Sequence, residues 1–189
     1  MQRSSVWTFP RELTQSDWLE LYNRRWRVTF IRLQTMTLSV GDPAPDFSLL
    51  DATGKTYSLA DLKGQRVVLY FYPRDNTPGC TKEACGFRDR YADYQGKDAV
   101  VLGVSTDDAK SHTKFIDKFS LPFPLLVDEG GEVASRYGVY GLKKFMGKEY
   151  MGITRSTFII GPDGNLEKIY LKVKAETHAD EVLADLETL

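Results

Sequence analysis

From Val40 onward, hydrophobic positions switch between a period of two and a period near 3.6, the mark of strands separated by helices. Residues 47–50 and 56–58 flank Asp51-Ala-Thr-Gly54, a hairpin signal. Residues 66–72, R-V-V-L-Y-F-Y, form a continuous apolar run bounded by turn residues, as expected of a central strand buried on both faces. Residues 79–95 carry Ala84, Phe87, Tyr91 and Tyr94 at helical spacing. Residues 99–105 read as a second buried strand. Thr106-Asp107 then offers a cap to a helix running through Phe119, with Phe115 and Phe119 on one face. A brief strand at 125–127 and a short helix at 131–137 follow. Residues 138–152, with four glycines and no clean period, read as an irregular surface loop beside a functional site. Residues 156–160 and 166–172 flank Gly161-Pro-Asp-Gly-Asn165, a second hairpin, and a last helix starts near Glu176 with Val182, Leu183 and Leu186 inward. Together these elements predict an α/β sandwich built on a mixed sheet.

The first 35 residues depart from this pattern. All three tryptophans fall there, with six arginines and no lysine; the remainder holds six arginines and all thirteen lysines. We therefore divide the chain into an extension, residues 1–35, and a domain, residues 36–189. Three readings of the extension compete: sequence upstream of a true start at Met36, an arginine-rich organelle-targeting segment, or an appendage that docks on the domain or a membrane surface. The first and last make the protein cytoplasmic; the second sends it to an organelle such as a plastid.

Composition narrows the function. A net charge of −1 gives no basic surface for nucleic acid, and no apolar run approaches the length of a membrane span. Two cysteines are too few for a disulfide scaffold or a structural zinc site. His112 and His178 lie far from both in sequence, in polar helical segments, and are expected at the surface.

The chemistry concentrates in F-Y-P-R-D-N-T-P-G-C, residues 71–80, with a second cysteine at Cys85. A strand breaks at Pro73, and Pro78-Gly79 delivers Cys80 to the start of a helix. There the unpaired N–H groups and the macrodipole favour thiolate over thiol. The competing reading is a buried cysteine acting as a small hydrophobe, but the neighbours Asn76, Thr77, Thr81 and Lys82 form no apolar pattern. Thr77, three residues before Cys80, can accept a bond from an incoming hydroxyl. Pro73 removes a competing N–H and can shield the sulfur. Spacing alone leaves both as readily a turn residue and a strand terminator.

In the form F-Y-P-R-D-N-T-P-G-C-T-K-E-A-C-G-F-R-D, this segment strongly resembles the peroxiredoxins, and the second cysteine five residues on resembles the peroxiredoxin Q, or bacterioferritin comigratory protein, subfamily. The resemblance runs from Gly41 to the terminal helix. It implies a thioredoxin fold with N-terminal hairpin additions and reduction of hydrogen peroxide and organic hydroperoxides, with no metal or organic cofactor and thioredoxin as reductant. It implies Cys80 as the peroxidatic cysteine, Cys85 as the resolving one, Pro73 and Thr77 as motif partners, and Arg155 in I-T-R-S-T-F as the active-site arginine. Glu83 matches a glutamate that would orient that arginine. The implied disulfide carries a geometric cost: helical residues five apart have Cα atoms about 8.7 Å from each other, beyond the roughly 7 Å limit of a disulfide. The start of the helix must unwind, with Gly79 and Gly86 as weak points. An intramolecular resolving thiol needs no second subunit, so a monomer is expected. The alternative class is a thioredoxin-like redox sensor or disulfide-exchange protein that does not turn over peroxide.

Overall fold

The computed structural model describes residues 37–145 and 147–189; the readings of residues 1–35 lie outside them. Strands β1 (Ser48–Leu50) and β2 (Thr56–Ser58) pair as a small antiparallel hairpin. Asp51 shapes its turn by accepting the Thr53 and Lys55 N–H groups at 2.8 and 3.0 Å. A single 3-10 turn, Ala60–Leu62, leads to β3 (Arg66–Phe71). The remaining elements are α1 (Pro78–Asp89), α2 (Tyr91–Gln95), β4 (Ala99–Ser105), α3 (Ala109–Phe119), β5 (Leu125–Val127), α4 (Glu132–Arg136), β6 (Tyr140–Phe145), β7 (Lys148–Ile153), β8 (Ser156–Ile160), β9 (Leu166–Leu171) and α5 (His178–Asp185).

Five strands form the central sheet in the order β5-β4-β3-β8-β9. β3, β4 and β5 run parallel; β8 is antiparallel to β3, and β9 to β8. This is the mixed sheet that the alternation of elements predicts. β3 lies at its centre, and its alternate residues face two cores. Val68, Tyr70 and Tyr72 pack with Ala84 and Phe87 of α1 and Val182 of α5. Val67, Leu69 and Phe71 pack with Phe47, Val133, Tyr137 and Phe158. A strand buried on both faces has no polar position to alternate with, which is why it reads as an unbroken apolar run.

Gly103 of β4 seats α1. It lies opposite Tyr70 in the ladder, and the Tyr70 ring crosses over it to stack on Phe87 of α1 with centroids 4.8 Å apart. A Cβ on Gly103 would stand 2.7 Å from Tyr70 Cζ and 2.6 Å from Leu125 Cδ2.

Four expectations change. The helix read over residues 79–95 is two helices: Arg90 leaves helical geometry at φ −105°, ψ 7°, and the bend lets the Tyr94 hydroxyl reach the Ala179 carbonyl at 2.6 Å. The helix after β4 is capped by Asp108, which accepts from Ser111 N–H at 2.7 Å, rather than by Thr106-Asp107. Residues 138–152 contain the hairpin β6–β7 in place of an irregular loop. It forms a separate two-stranded ribbon, with Leu142, Tyr150 and Met151 exposed, so its sequence shows none of the alternation of a half-buried strand.

The fourth correction concerns the histidines. His112 and His178 are fully buried. His112 shares the inward stripe of α3 with Phe115, and His178 shares that of α5 with Val182. Each ring finds polar partners inside: His112 Nδ1 lies 2.9 Å from Asp75, and His178 Nε2 lies 2.7 Å from Thr157 Oγ1. Spacings of three and four residues to the neighbouring core positions carried this signal.

Gly103→Ala is expected to lower stability by about 1–3 kcal/mol through forced displacement of Tyr70, read by urea denaturation. Unchanged stability would mean that Tyr70 does not depend on that gap.

Candidate active site

β3 ends at Phe71, and Tyr72 still donates its N–H to Val104 O at 3.1 Å. Pro73 has no N–H and ends the ladder. The chain turns through Asn76, whose φ of 54° is left-handed, to Thr77, the N-cap of α1. Pro78 follows at the first helical position, where a missing N–H costs nothing, so Cys80 is the third residue of the helix. Thr77 makes no side-chain cap. Its hydroxyl donates to the Arg74 carbonyl at 3.0 Å, which leaves its lone pairs to accept.

Cys80 is buried, with 1% of its surface exposed, as a packing cysteine would be. Its sulfur, however, meets a cation. Arg155, on the approach to β8, donates from Nη2 to Cys80 Sγ at 3.1 Å. Its other nitrogen, Nη1, donates to the Glu83 carboxylate. The Arg155 backbone is tied to the end of β9, its carbonyl accepting from Lys172 N–H at 3.1 Å. Gly79 leaves room for this approach, since a Cβ there would lie 3.2 Å from Nη2. Thus one side chain from the sheet holds two positions, 80 and 83, on one face of α1.

The electrostatics of this triad are unequal. Burial opposes the charge on Arg155, but Glu83 and Cys80 outweigh it and raise its pKa above the ordinary value. Burial pushes the Glu83 carboxyl up to about 7, against the lowering effect of Arg155. Glu83 is fully buried and only one of its oxygens is bonded; the other has no partner among the described residues. A carboxylate satisfied on one side only is the less stable form in such surroundings.

Cys85 lies on the same helix, half-buried, and both thiols are free. Pro73 is exposed. With Thr77 it lines a cleft of about 710 Å³ whose other walls include Lys143, Tyr150, Met151 and Ile153 from β6 and β7. The structure thus joins Cys80, Arg155 and Glu83 by direct contact and sets Thr77 one turn away. Pro73 stands at the cleft, and Cys85 lies five residues beyond Cys80 on α1. Among the described residues, no three His, Cys, Asp or Glu side chains converge as a metal-ligating group. The sequence reading passed over Asp75 and gave Asp107 only a capping role, whereas both brace the turn before α1. The position of Asp75 inside P-x-x-x-T is the signal that was present for it.

The AhpC/TSA family profile matches residues 40–169. The chain belongs to this family, the peroxiredoxins. It is 49% identical over 154 residues to Peroxiredoxin Bcp of Bacillus subtilis, covering 82% of this chain and 98% of that protein. It is 46% identical over 146 residues to Peroxiredoxin Bcp of Escherichia coli, covering 77% and 94% respectively. Among solved structures, the bacterioferritin comigratory protein of Xanthomonas campestris, described for alkyl peroxide reduction, superposes with a TM-score of 0.74 at 36% identity, covering 79% of this chain and 98% of that one. BcpB of Mycobacterium tuberculosis superposes with a TM-score of 0.72 at 38% identity, covering 80% and 98%. The thioredoxin fold expected from the motif is therefore the fold observed, and a peroxiredoxin is a thiol-dependent peroxidase.

Proposed function

We propose that Cys80 is the thiol oxidised by hydroperoxide and Cys85 the thiol that resolves it. The observation that carries this reading is the 3.1 Å contact of Arg155 Nη2 with Cys80 Sγ at the start of α1. Fixed N–H donors and a guanidinium stabilise a thiolate there, and they need no reorganisation as charge moves onto the peroxide. The thiolate attacks the terminal peroxide oxygen. An S–O bond forms, the O–O bond breaks, and the leaving oxygen takes a proton and departs as water or an alcohol. Thr77 Oγ1, its own hydrogen committed to Arg74, accepts the substrate O–H. The cleft beside it, walled by Tyr150, Met151 and Ile153, has room for the alkyl part of an organic hydroperoxide.

The product at Cys80 is a sulfenic acid. It condenses with the Cys85 thiol, releasing water and forming a disulfide within the chain. Thioredoxin or a similar dithiol then restores both thiols by exchange. Both reacting sulfurs belong to one helix, so a monomer suffices, and a compartment that supplies a dithiol reductant, such as the cytoplasm, completes the cycle.

Cys80→Ser is expected to abolish turnover with thioredoxin as donor. Cys85→Ser is expected to consume about one peroxide per chain and then stall. Single-turnover quenched assays with mass spectrometry of both sulfurs measure this. Rapid sulfenic acid formation at Cys85 in the Cys80 variant would reverse the two roles.

Glu83 gives the resolving step a pH dependence. Its carboxyl sits near 7 in the closed helix and returns toward its ordinary value of 4.5 when the helix opens into water. The closed form binds the proton more tightly, so it is favoured below about 4.5 and loses that advantage as pH rises to about 7. Opening, and with it disulfide formation, therefore gains by up to about tenfold per pH unit across that window and levels off above it. The ratio of the wild-type to the Glu83→Gln disulfide-formation rate isolates this effect, because ionisation of Cys85 cancels. A ratio that stays flat between pH 5 and 7 would contradict it.

A further inference from the structure

The turn between β3 and α1 rests on a buried polar cluster that the peroxide cycle has not used. Asp75 is buried, yet its carboxylate is bonded three times. Oδ1 accepts from the Tyr72 hydroxyl at 2.8 Å. Oδ2 accepts from the Ser111 hydroxyl at 2.7 Å and lies 2.9 Å from His112 Nδ1. The far side of the His112 ring, Nε2, lies 3.2 Å from the Leu126 carbonyl. One residue of the turn is thereby joined to α3 and β5 through a ring that is 0% exposed. Burial disfavours the Asp75 carboxylate, but His112, Ser111 and Tyr72 outweigh it and hold the group below its ordinary pKa.

The peptide joining Arg74 to Asp75 is gripped at both ends. The Asp75 N–H donates to Asp107 Oδ2 at 2.9 Å, and Asp107 Oδ2 is itself fixed by the Ser105 hydroxyl at 2.7 Å. The carbonyl of the same peptide accepts the Thr77 hydroxyl at 3.0 Å. In a trans peptide these two groups point in opposite directions. The anchor below therefore sets the direction of the carbonyl above, and the carbonyl sets the rotor of Thr77. Asn76, between them, is held at a left-handed φ of 54° that the free chain would not favour.

We propose that Asp75 and His112 are positioning residues for peroxide binding: with Asp107 they fix the Arg74–Asp75 peptide so that Thr77 presents its lone pairs, and not its hydrogen, to the substrate O–H. This inference rests on the reading of Cys80 as the oxidised thiol and Thr77 as a substrate contact. It separates two properties of the site. Arg155 and the helix start govern the reactivity of the sulfur, and the buried cluster governs where the peroxide lies. A misdirected Thr77 hydroxyl slows peroxide attack and leaves the thiolate as reactive as before toward an electrophile that does not use Thr77.

The test compares two reactions of Cys80 at one pH, oxidation by hydrogen peroxide and alkylation by iodoacetamide, in Asp75→Asn and His112→Gln. The expected result is a loss of at least about tenfold in the rate constant for peroxide oxidation, with alkylation within about twofold of wild type. In a Thr77→Val background the same substitutions should cost less than about threefold more, because the residue they act through is gone. A parallel fall in both reactions, no loss in the peroxide rate, or an undiminished loss in the Thr77→Val background would overturn the proposal. Where the buried substitutions do not fold, half-exposed Asp107 supplies the same test. Asp107→Asn keeps an acceptor for the Asp75 N–H and should retain most of the peroxide rate, whereas Asp107→Ala should lose it; equal rates in the two would overturn the proposal. Wild-type protein reports on the underlying reading first: oxidation at Cys85 ahead of Cys80 would remove that reading, and this inference with it, before any variant is made.

Discussion

The guanidinium of Arg155 is the contact on which the site depends. It comes from the sheet and holds two groups on α1, the sulfur of Cys80 and the carboxylate of Glu83. As long as both bonds stand, the first turns of α1 are pinned to β8, and the thiol faces a fixed cation in a buried setting. Much of the surrounding packing can be read as support for that arrangement. Gly103 admits the Tyr70 ring, Tyr70 carries Phe87, and Phe87 seats the last turn of α1. Gly79 opens the space through which the guanidinium reaches the sulfur.

The same helix poses a conflict. On the proposed reading Cys80 reacts best when α1 is intact, because the N–H groups and Arg155 are then in place. Yet the intact helix keeps Cys80 and Cys85 about 8.7 Å apart at Cα, out of disulfide range. On the proposed cycle the helix must therefore be firm before oxidation and yield after it. Glu83 lies between the two cysteines, so residues 81–85 cannot unwind without drawing it away from Arg155. Its unpaired second oxygen and raised pKa make that bond weaker than a fully satisfied ion pair. Further along, Phe87 packed on Tyr70 ties the last turn of α1 to the sheet, and Tyr94 bonded to Ala179 ties the following α2 to α5, which confines the opening to the start of α1.

The sequence announced much of this and concealed some of it for physical reasons. The central strands were legible as apolar runs, the hairpins β1–β2 and β8–β9 from the turn residues at 51–54 and 161–165, and the reactive turn from Pro73, Pro78 and Gly79. Cys80, Glu83 and Arg155, three residues spread over 75 positions, were linked by resemblance and then found in contact. The ribbon β6–β7 was illegible because neither of its faces is well buried, so no alternation was imposed on it. The break at Arg90 has no Gly or Pro to mark it; it follows from where Tyr94 and α5 meet. The two histidines were misread because polarity was weighed above position: each sits on an inward stripe and is buried because a specific partner, Asp75 or Thr157, satisfies it. Partners contributed by distant segments are invisible to local pattern, and the cluster beneath the reactive turn consists of such partners.

Amide hydrogen exchange of the reduced and peroxide-oxidised protein tests the central claim most directly. If the two cysteines join within one chain, oxidation should remove protection at about residues 81–86 and leave β3 (Arg66–Phe71) and the last turn of α1 protected. Full protection through Cys85 in the oxidised form would mean that the helix never opens, and would contradict the intramolecular disulfide.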